Sequence, residues 1–270
     1  MGLKKATAQQ GFFMRLSASK PVEVRGRVIG GPLPLICLPL AAPDLPGLLR
    51  QARTAAALAP DLVEWRADVF EELDLPALPR ALAELRSAIG DLPLVFTCRR
   101  AEEGGFRAMD GRLRLEIILV AIASGRIDLL DTELAGGADF VAAVRNACRR
   151  AGVRLILSWH DFQHTPAAAV IVDRLARAEA LGADIAKAAV MPVDGDDVFT
   201  LLQATRQARR EAVKIPLITM AMGPKGLVSR IVGAAYGADV TFAVGVQATA
   251  PGQIPIEKLR EAWRVLGVDS

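Results

Sequence analysis

Short apolar runs alternate along this chain with longer amphipathic stretches. The runs are Leu33 to Leu38, Leu62 to Arg66, Leu94 to Cys98, Ile127 to Asp131, Arg154 to Ser158, Ala183 to Lys187, Ile215 to Met220 and Val240 to Val244. They are almost continuously apolar, the pattern of strands covered on both faces. Their starts lie about 25 to 33 residues apart, room for a strand, a helix and two loops. Between them, Pro43 to Ala57, Leu78 to Ala88, Leu113 to Ser124, Phe140 to Ala151, Ala167 to Ala180 and Val198 to Arg209 carry apolar residues at helical spacing.

Eight such repeats predict an α/β chain closed into a (β/α)8 barrel of parallel strands, the TIM-barrel architecture, which takes about 250 residues as one domain. An open doubly wound sheet is the competing arrangement. It calls for a glycine-rich phosphate turn, and no GxGxxG or P-loop pattern occurs. Val22 to Ile29 alternates in polarity around Gly26, which predicts a short N-terminal β-hairpin, placed as a plug under the barrel. Residues 1–20 are expected to form a disordered extension. Their apolar stretch Gly11-Phe12-Phe13-Met14 is too short for the core of a secretion signal. Residues 21–270 are expected to form a single barrel domain.

Composition narrows the function classes. The chain has 270 residues, 52% of them hydrophobic, so a large core is available. Thirty-three lysines and arginines against 30 acids leave a net charge of +3, too balanced for a nucleic-acid partner to be expected. No apolar run approaches the roughly 18 residues of a membrane span, so no membrane association is expected. Cys37, Cys98 and Cys148 are odd in number and far apart, which fits a reducing cytoplasm better than a disulfide framework. The two histidines, four residues apart, and the scattered cysteines give no zinc-ligand spacing, so no metal is expected.

A barrel places its chemistry at the C-terminal ends of the strands. At the second strand end, Glu64 and Arg66 share a face and Trp65 takes the other. With Trp65 turned to the helices, both charges enter the barrel, as a structural ion pair or as ligands. The third strand runs out through Arg99 into Glu102-Glu103-Gly104-Gly105, a loop over the mouth or a solvated charge run. Asp131 and Glu133 share a face on the fourth, where an acid can orient a base or cap a loop. His160 ends the fifth, and His164 beyond it is expected to face solvent.

The sixth strand is the most informative. Only seven of the 33 basic residues are lysines, yet a lysine, Lys187, sits in an apolar strand. Arginine cannot lose its proton in a protein, whereas a buried lysine can be driven toward its neutral, nucleophilic form. A neutral amine forms imines with ketones and aldehydes. On the seventh, Met220 and Met222 share a face, as core or as an apolar wall for a ring. Arg230 lies near the start of the following helix, where a carboxylate is well received, although a solvated arginine has the same signature. The last loop brings Thr249 and Gln253. A lysine, a histidine, acids and several arginines suit imine chemistry on a small anionic carbonyl compound.

These motifs together resemble those of type I 3-dehydroquinate dehydratases. The resemblance spans about Leu33 to Leu266. It rests on Glu64-Trp65-Arg66, Phe96-Thr97-Cys98-Arg99 with Glu102-Glu103-Gly104-Gly105, Asp131-Thr132-Glu133-Leu134, Ser158-Trp159-His160-Asp161-Phe162 and Ala183-Asp184-Ile185-Ala186-Lys187. It continues through Ile218-Thr219-Met220-Ala221-Met222-Gly223, Ser229-Arg230 and Ala250-Pro251-Gly252-Gln253. Each motif is modest alone, and their common order is specific.

The resemblance implies a (β/α)8 barrel, usually a homodimer, working without metal or organic cofactor on 3-dehydroquinate in the shikimate pathway. It makes Lys187 the imine-forming residue and His160 the proton-transfer residue, with Asp131 orienting His160 and Glu103 in support. It assigns Arg230, Gln253 and Thr249 to the substrate carboxylate, Glu64, Arg66 and Arg99 to the ring hydroxyls, and Met220 and Met222 to the ring. Thr249 stands where the family usually has serine and keeps the hydroxyl. The alternatives are another Schiff-base lyase, such as a class I aldolase, and a non-catalytic barrel. The second predicts loss of Lys187 or His160, and both are present.

Overall fold

The computed structural model describes residues 15–71, 73–245 and 252–268. Two short antiparallel strands, β1 (Val22–Val24) and β2 (Arg27–Ile29), come first. Their two-residue loop, Arg25-Gly26, has positive φ at both positions (44° and 74°), the left-handed pair that matches strand twist in a tight hairpin. Eight parallel strands follow: β3 (Leu35–Leu40), β4 (Leu62–Arg66), β5 (Leu94–Thr97), β6 (Leu129–Glu133), β7 (Arg154–Asp161), β8 (Ile185–Val190), β9 (Leu217–Ala221) and β10 (Val240–Phe242). They run in sequential order with β10 beside β3. The ring closes between β9 and β10, where the Asp239 N–H donates to the Leu217 carbonyl at 2.7 Å.

Helices α1 (Leu45–Ala57), α2 (Leu78–Ile89), α3 (Gly111–Ala123), α4 (Ala138–Ala151), α5 (Ala168–Ala180), α6 (Gly195–Gln207), α7 (Leu227–Tyr236) and α8 (Ile256–Val265) alternate with the strands. Helices α3 and α6 start earlier than the apolar period suggests, because polar caps set their ends. Asp110 accepts from the N–H groups of Arg112 and Leu113, and Asp194 from that of Asp197. Strands β3, β6, β8 and β9 start about two residues later than their apolar runs. Pro34 and Pro216 lack the N–H a ladder needs, and Asp128 and Asp184 put their carboxylates on neighbouring strands instead.

Period-two alternation sorts the barrel wall into two faces. Val63, Trp65, Phe96, Leu130, Leu155, Leu157, Ala186, Ala188, Leu217 and Ala221 pack against the helices. Trp65 is fully buried there, edge-on to Phe70 and Phe96. Inside, Leu35, Leu62, Val95, Leu129, Ile156, Ile185, Ile218 and Val240 fill the N-terminal half with Val22, Val24 and Ile29 of the hairpin. The hairpin is therefore a plug whose apolar side completes the inner core.

The foot of the barrel repeats one device four times. An aspartate directly before every second strand accepts the N–H at the start of the preceding one. Asp61 takes Ile36, Asp128 takes Leu94, Asp184 takes Leu155 and Asp239 takes Leu217, at 2.6 to 2.9 Å. Each also faces an arginine. Arg27, Arg25 and Arg15 tie Asp61, Asp128 and Asp239 to the N-terminal segment, and Arg154 faces Asp184.

This arrangement corrects the expected 1–20 extension at its C-terminal end. Arg15 also donates to the carbonyls of Gly31 and Ala238, Ala18 N–H to Gly30 and Lys20 N–H to Lys214, so 15–20 are docked. Residues 1–14 lie outside the described residues. No described helix is long and apolar enough to cross a membrane.

Candidate active site

Above the apolar half, the inward positions become polar. Continuing the alternation from Leu62, Val95, Leu129, Ile156 and Ile185 brings Glu64 and Arg66, Thr97 and Arg99, Asp131, Ser158 and His160, and Lys187 to the C-terminal half. Register then decides which of them meet, pairing Ser158 with Lys187 and Thr97 with Asp131. Isolated buried charges are prohibitively expensive, so such a layer is tolerable only when every charge is answered. Here three carboxylates, Glu64, Asp131 and Glu133, face three cations, Lys187, Arg99 and Arg114, all at most 6% exposed.

Lys187 donates to Asp131 Oδ2 at 2.7 Å and lies 3.8 Å from Glu64 Oε1, with its Nζ 4.6 Å from the centre of the Phe242 ring. Asp131 is fully buried. Its other oxygen accepts from Ser158 Oγ at 2.6 Å, and Arg99 reaches Oδ2 at 2.9 Å. Burial by itself raises the Asp131 carboxyl, but the Arg99 and Lys187 charges reverse this and hold it well below the usual carboxylate range. Glu64 is fixed by the Thr97 hydroxyl at 2.8 Å.

His160 occupies the same end of the barrel on β7. Its Nδ1 lies 3.0 Å from Glu103 Oε2, which also accepts the His160 backbone N–H at 2.9 Å. Nε2 is then the ring nitrogen left for chemistry. The resemblance gives the orienting role to Asp131, whereas the carboxylate in contact with the ring is Glu103, and Asp131 is engaged with Lys187, Arg99 and Ser158. Burial, with the Arg99 and Lys187 charges, holds the His160 imidazole well below its ordinary 6.5. Burial and the nearby Glu133 charge push the Glu103 carboxyl up to about 7. The imidazole is thus kept in the neutral form a base requires.

The loop carrying Glu103 is held by its glycines. Gly104 has φ +81°, and a Cβ there would meet the Phe162 ring at 2.2 Å. Its carbonyl accepts from Arg66 at 3.3 Å. Arg66 in turn is gripped by both oxygens of Asp68 at 2.8 and 2.7 Å, and Asp68 also accepts the N–H groups of Phe106 and Arg99.

One cleft gathers Glu64, Arg66, Arg99, Glu103, His160, Lys187, Met222 and Gln253, together with Gly104, Phe162 and Phe242. Met220 and Arg230 stand outside its lining. Arg230 is 2% exposed, its Nη1 is 3.3 Å from the Phe242 carbonyl and 3.4 Å from Met220 Sδ, and burial lowers its pKa to about 10. It is therefore a core-side arginine rather than a solvated one. Thr249 lies outside the described residues. His164 faces solvent as expected, against Asp161.

Phe162, Phe242, Ser158 and Asp68 carry no role in the sequence expectations. Phe242 was accessible from its spacing to Val240, and Asp68 from its position two residues after Arg66. Nothing local marks Ser158 as a partner of Asp131, because that contact depends on register.

A family model described as type I 3-dehydroquinase matches residues 36–270. The 3-dehydroquinate dehydratase of Geobacillus thermodenitrificans is 44% identical over 247 residues, covering 91% of this chain and 95% of that protein. That of Albidiferax ferrireducens is 41% identical over 254 residues, 93% of this chain and 96% of that one. The crystal structure of 3-dehydroquinate dehydratase from Geobacillus kaustophilus superposes with a TM-score of 0.91 at 42% identity, covering 95% of this chain and all of that one. A type I enzyme from Clostridium difficile, solved with covalently modified comenic acid, gives a TM-score of 0.89 at 35% identity, over 92% of this chain and 98% of that one. With the family model matched over nearly the whole barrel and relatives above 40% identity, this chain belongs to the type I 3-dehydroquinase family.

Proposed function

We propose that this chain is a 3-dehydroquinate dehydratase, a hydro-lyase that converts 3-dehydroquinate to 3-dehydroshikimate through an imine on Lys187. The observation that carries the reading is the convergence of a buried amine, held at 2.7 Å by Asp131, with a neutral imidazole held by Glu103 in one cleft. The Lys187 amine adds to the C3 ketone and one water leaves, giving the imine. The imine withdraws electrons and acidifies the C2–H. His160 takes that proton. The resulting enamine expels the C1 hydroxyl, which His160 protonates as it departs as water. Hydrolysis of the product imine consumes one water and frees Lys187, so one water is lost overall.

Glu64, Arg66 and Arg99 face the ring hydroxyls in this reading. Arg230, Gln253 and Thr249 serve the carboxylate, and Met220 and Met222 flank the ring. Residues 21–270 act as one catalytic domain. The family resemblance supports a homodimer, and the three buried free cysteines fit a reducing cytoplasm.

Borohydride reduction in the presence of 3-dehydroquinate, followed by peptide mass mapping, tests the reading. A ligand-derived mass on the Lys187 peptide is the expected result. A folded protein with no adduct would turn the assignment toward another carbonyl substrate.

The environment of His160 also sets a pH dependence. A base works only when deprotonated, so kcat/KM falls on the acid side with its midpoint at the base's pKa. Burial lowers the His160 value but pushes the Glu103 carboxyl hydrogen-bonded to it up to about 7, so the pair takes up its first proton near pH 7 and the acid limb is expected to be centred there. An acid limb that stays at the same pH in Glu103→Gln would contradict titration of this pair as its cause.

A further inference from the structure

Glu133 and Arg114 are among the buried charged residues that the proposed reaction does not use. Glu133, at the end of β6, is fully buried, and Arg114, on the second turn of α3, is 4% exposed. Neither lines the cleft. Glu133 Oε1 accepts from Arg99 Nη1 at 2.7 Å and from the Arg100 N–H at 3.2 Å, while its other oxygen is bound by Arg114. Arg114 also donates to the Cys98 carbonyl at 2.8 Å and to Thr132 Oγ1 at 2.9 Å, and its guanidinium lies 5.0 Å from the centre of the Phe140 ring on α4. Arg99 then passes the chain on to Asp131, and Asp131 to Lys187.

Charges thus alternate in one line, from Arg114 through Glu133, Arg99 and Asp131 to Lys187. The line begins in the helical layer and ends on the amine. A buried ion pair is a poor device for stability, since apolar replacements of similar volume are often as good. It is a good device for position, because each inner member, Glu133, Arg99 and Asp131, has one low-energy place between two opposite charges. Without Glu133, the Arg99 guanidinium keeps Asp131 and Ser158 but loses the carboxylate that anchors its other side.

We infer that Arg114 and Glu133 are positioning residues. They hold Arg99 in register, so that Asp131 presents the Lys187 amine to the incoming carbonyl. The inference rests on the imine reading above and adds to it two residues outside the cleft.

The test uses the full chain with Glu133→Gln, Arg114→Met and Arg114→Lys. Each is measured for steady-state kcat and KM with 3-dehydroquinate, for the rate of appearance of the borohydride-trapped Lys187 adduct in a single turnover, and for thermal midpoint. Displacement of a reacting group by about 1 Å can reduce rate on the order of 100-fold. Glu133→Gln and Arg114→Met are therefore each expected to slow both adduct formation and kcat by about 10- to 100-fold, with KM within about threefold of wild type. Arg114→Lys keeps a cation on Glu133 and should recover most of what Arg114→Met loses.

A purely structural role would lower the thermal midpoint but leave the folded protein's adduct rate unchanged. Folded variants that trap substrate within about twofold of the wild-type rate would overturn the inference, as would equal losses in the two Arg114 variants. If Glu133→Gln does not fold, the Arg114 pair decides alone. A wild type with no Lys187 adduct removes the imine reading and the inference together, whereas a normal wild-type adduct with unaffected variants removes the positioning role only.

Discussion

Lys187→Met is expected to lower turnover of 3-dehydroquinate by on the order of ten-thousand-fold or more, the scale seen when a covalent nucleophile is removed. That corresponds to about 5.5 kcal/mol of lost barrier reduction. The loss is chemical rather than structural for two reasons. Asp131 keeps Arg99 at 2.9 Å and Ser158 at 2.6 Å, so its buried carboxylate is not left without partners. Methionine is also close in volume to the lysine stem and can lie against Phe242 in its place. The check is kcat at saturating substrate together with circular dichroism. A folded Lys187→Met protein that turns over within about tenfold of wild type would remove the imine mechanism.

His160→Ala is expected to separate the first step from the second. A positioned general base contributes roughly 100- to 10,000-fold, so kcat should fall by about a thousandfold. Imine formation uses the Lys187 amine, whose contacts to Asp131 and Glu64 do not involve His160. The variant should therefore still give a borohydride-trapped adduct on the Lys187 peptide, at the mass of unreacted substrate and in a larger fraction of sites than wild type. Glu103 would lose its ring contact but would keep the backbone N–H of residue 160. Near-normal turnover would rule out His160 as the base. A folded variant with no adduct at all would place His160 in imine formation itself.

Much of the barrel is legible in the sequence because the information is local. The near-continuous apolar runs mark strands buried on two faces. Period two within them separates Trp65, which packs on Phe70 and Phe96, from Glu64 and Arg66, which enter the barrel. The same alternation put Lys187 and His160 inside. The boundaries were less legible, since caps such as Asp110 and Asp194 and the carboxylates of Asp128 and Asp184 decide where elements begin. The partners of Asp128 and Asp184 lie on other strands. The four strand-preceding aspartates form a repeat that is visible in the chain, but its purpose appears only when neighbouring strands stand side by side.

The sequence by itself determined the repeat, the inward face of each strand and the residue types available for imine chemistry. All three follow from the 3.6 and 2.0 periodicities of the backbone and from the fact that a lysine, unlike an arginine, can become a nucleophile. The tertiary structure decided who partners whom. Glu103 rather than Asp131 holds His160, because the loop after β5 folds its 3-10 turn onto β7. Asp131 meets Lys187 across β7 because Ser158 is in register with Lys187 and fills the gap with its hydroxyl. Arg230 is drawn into the core beside Met220 and Phe242. Such pairings depend on strand register and on the closure of the barrel, and neither is written in any single strand.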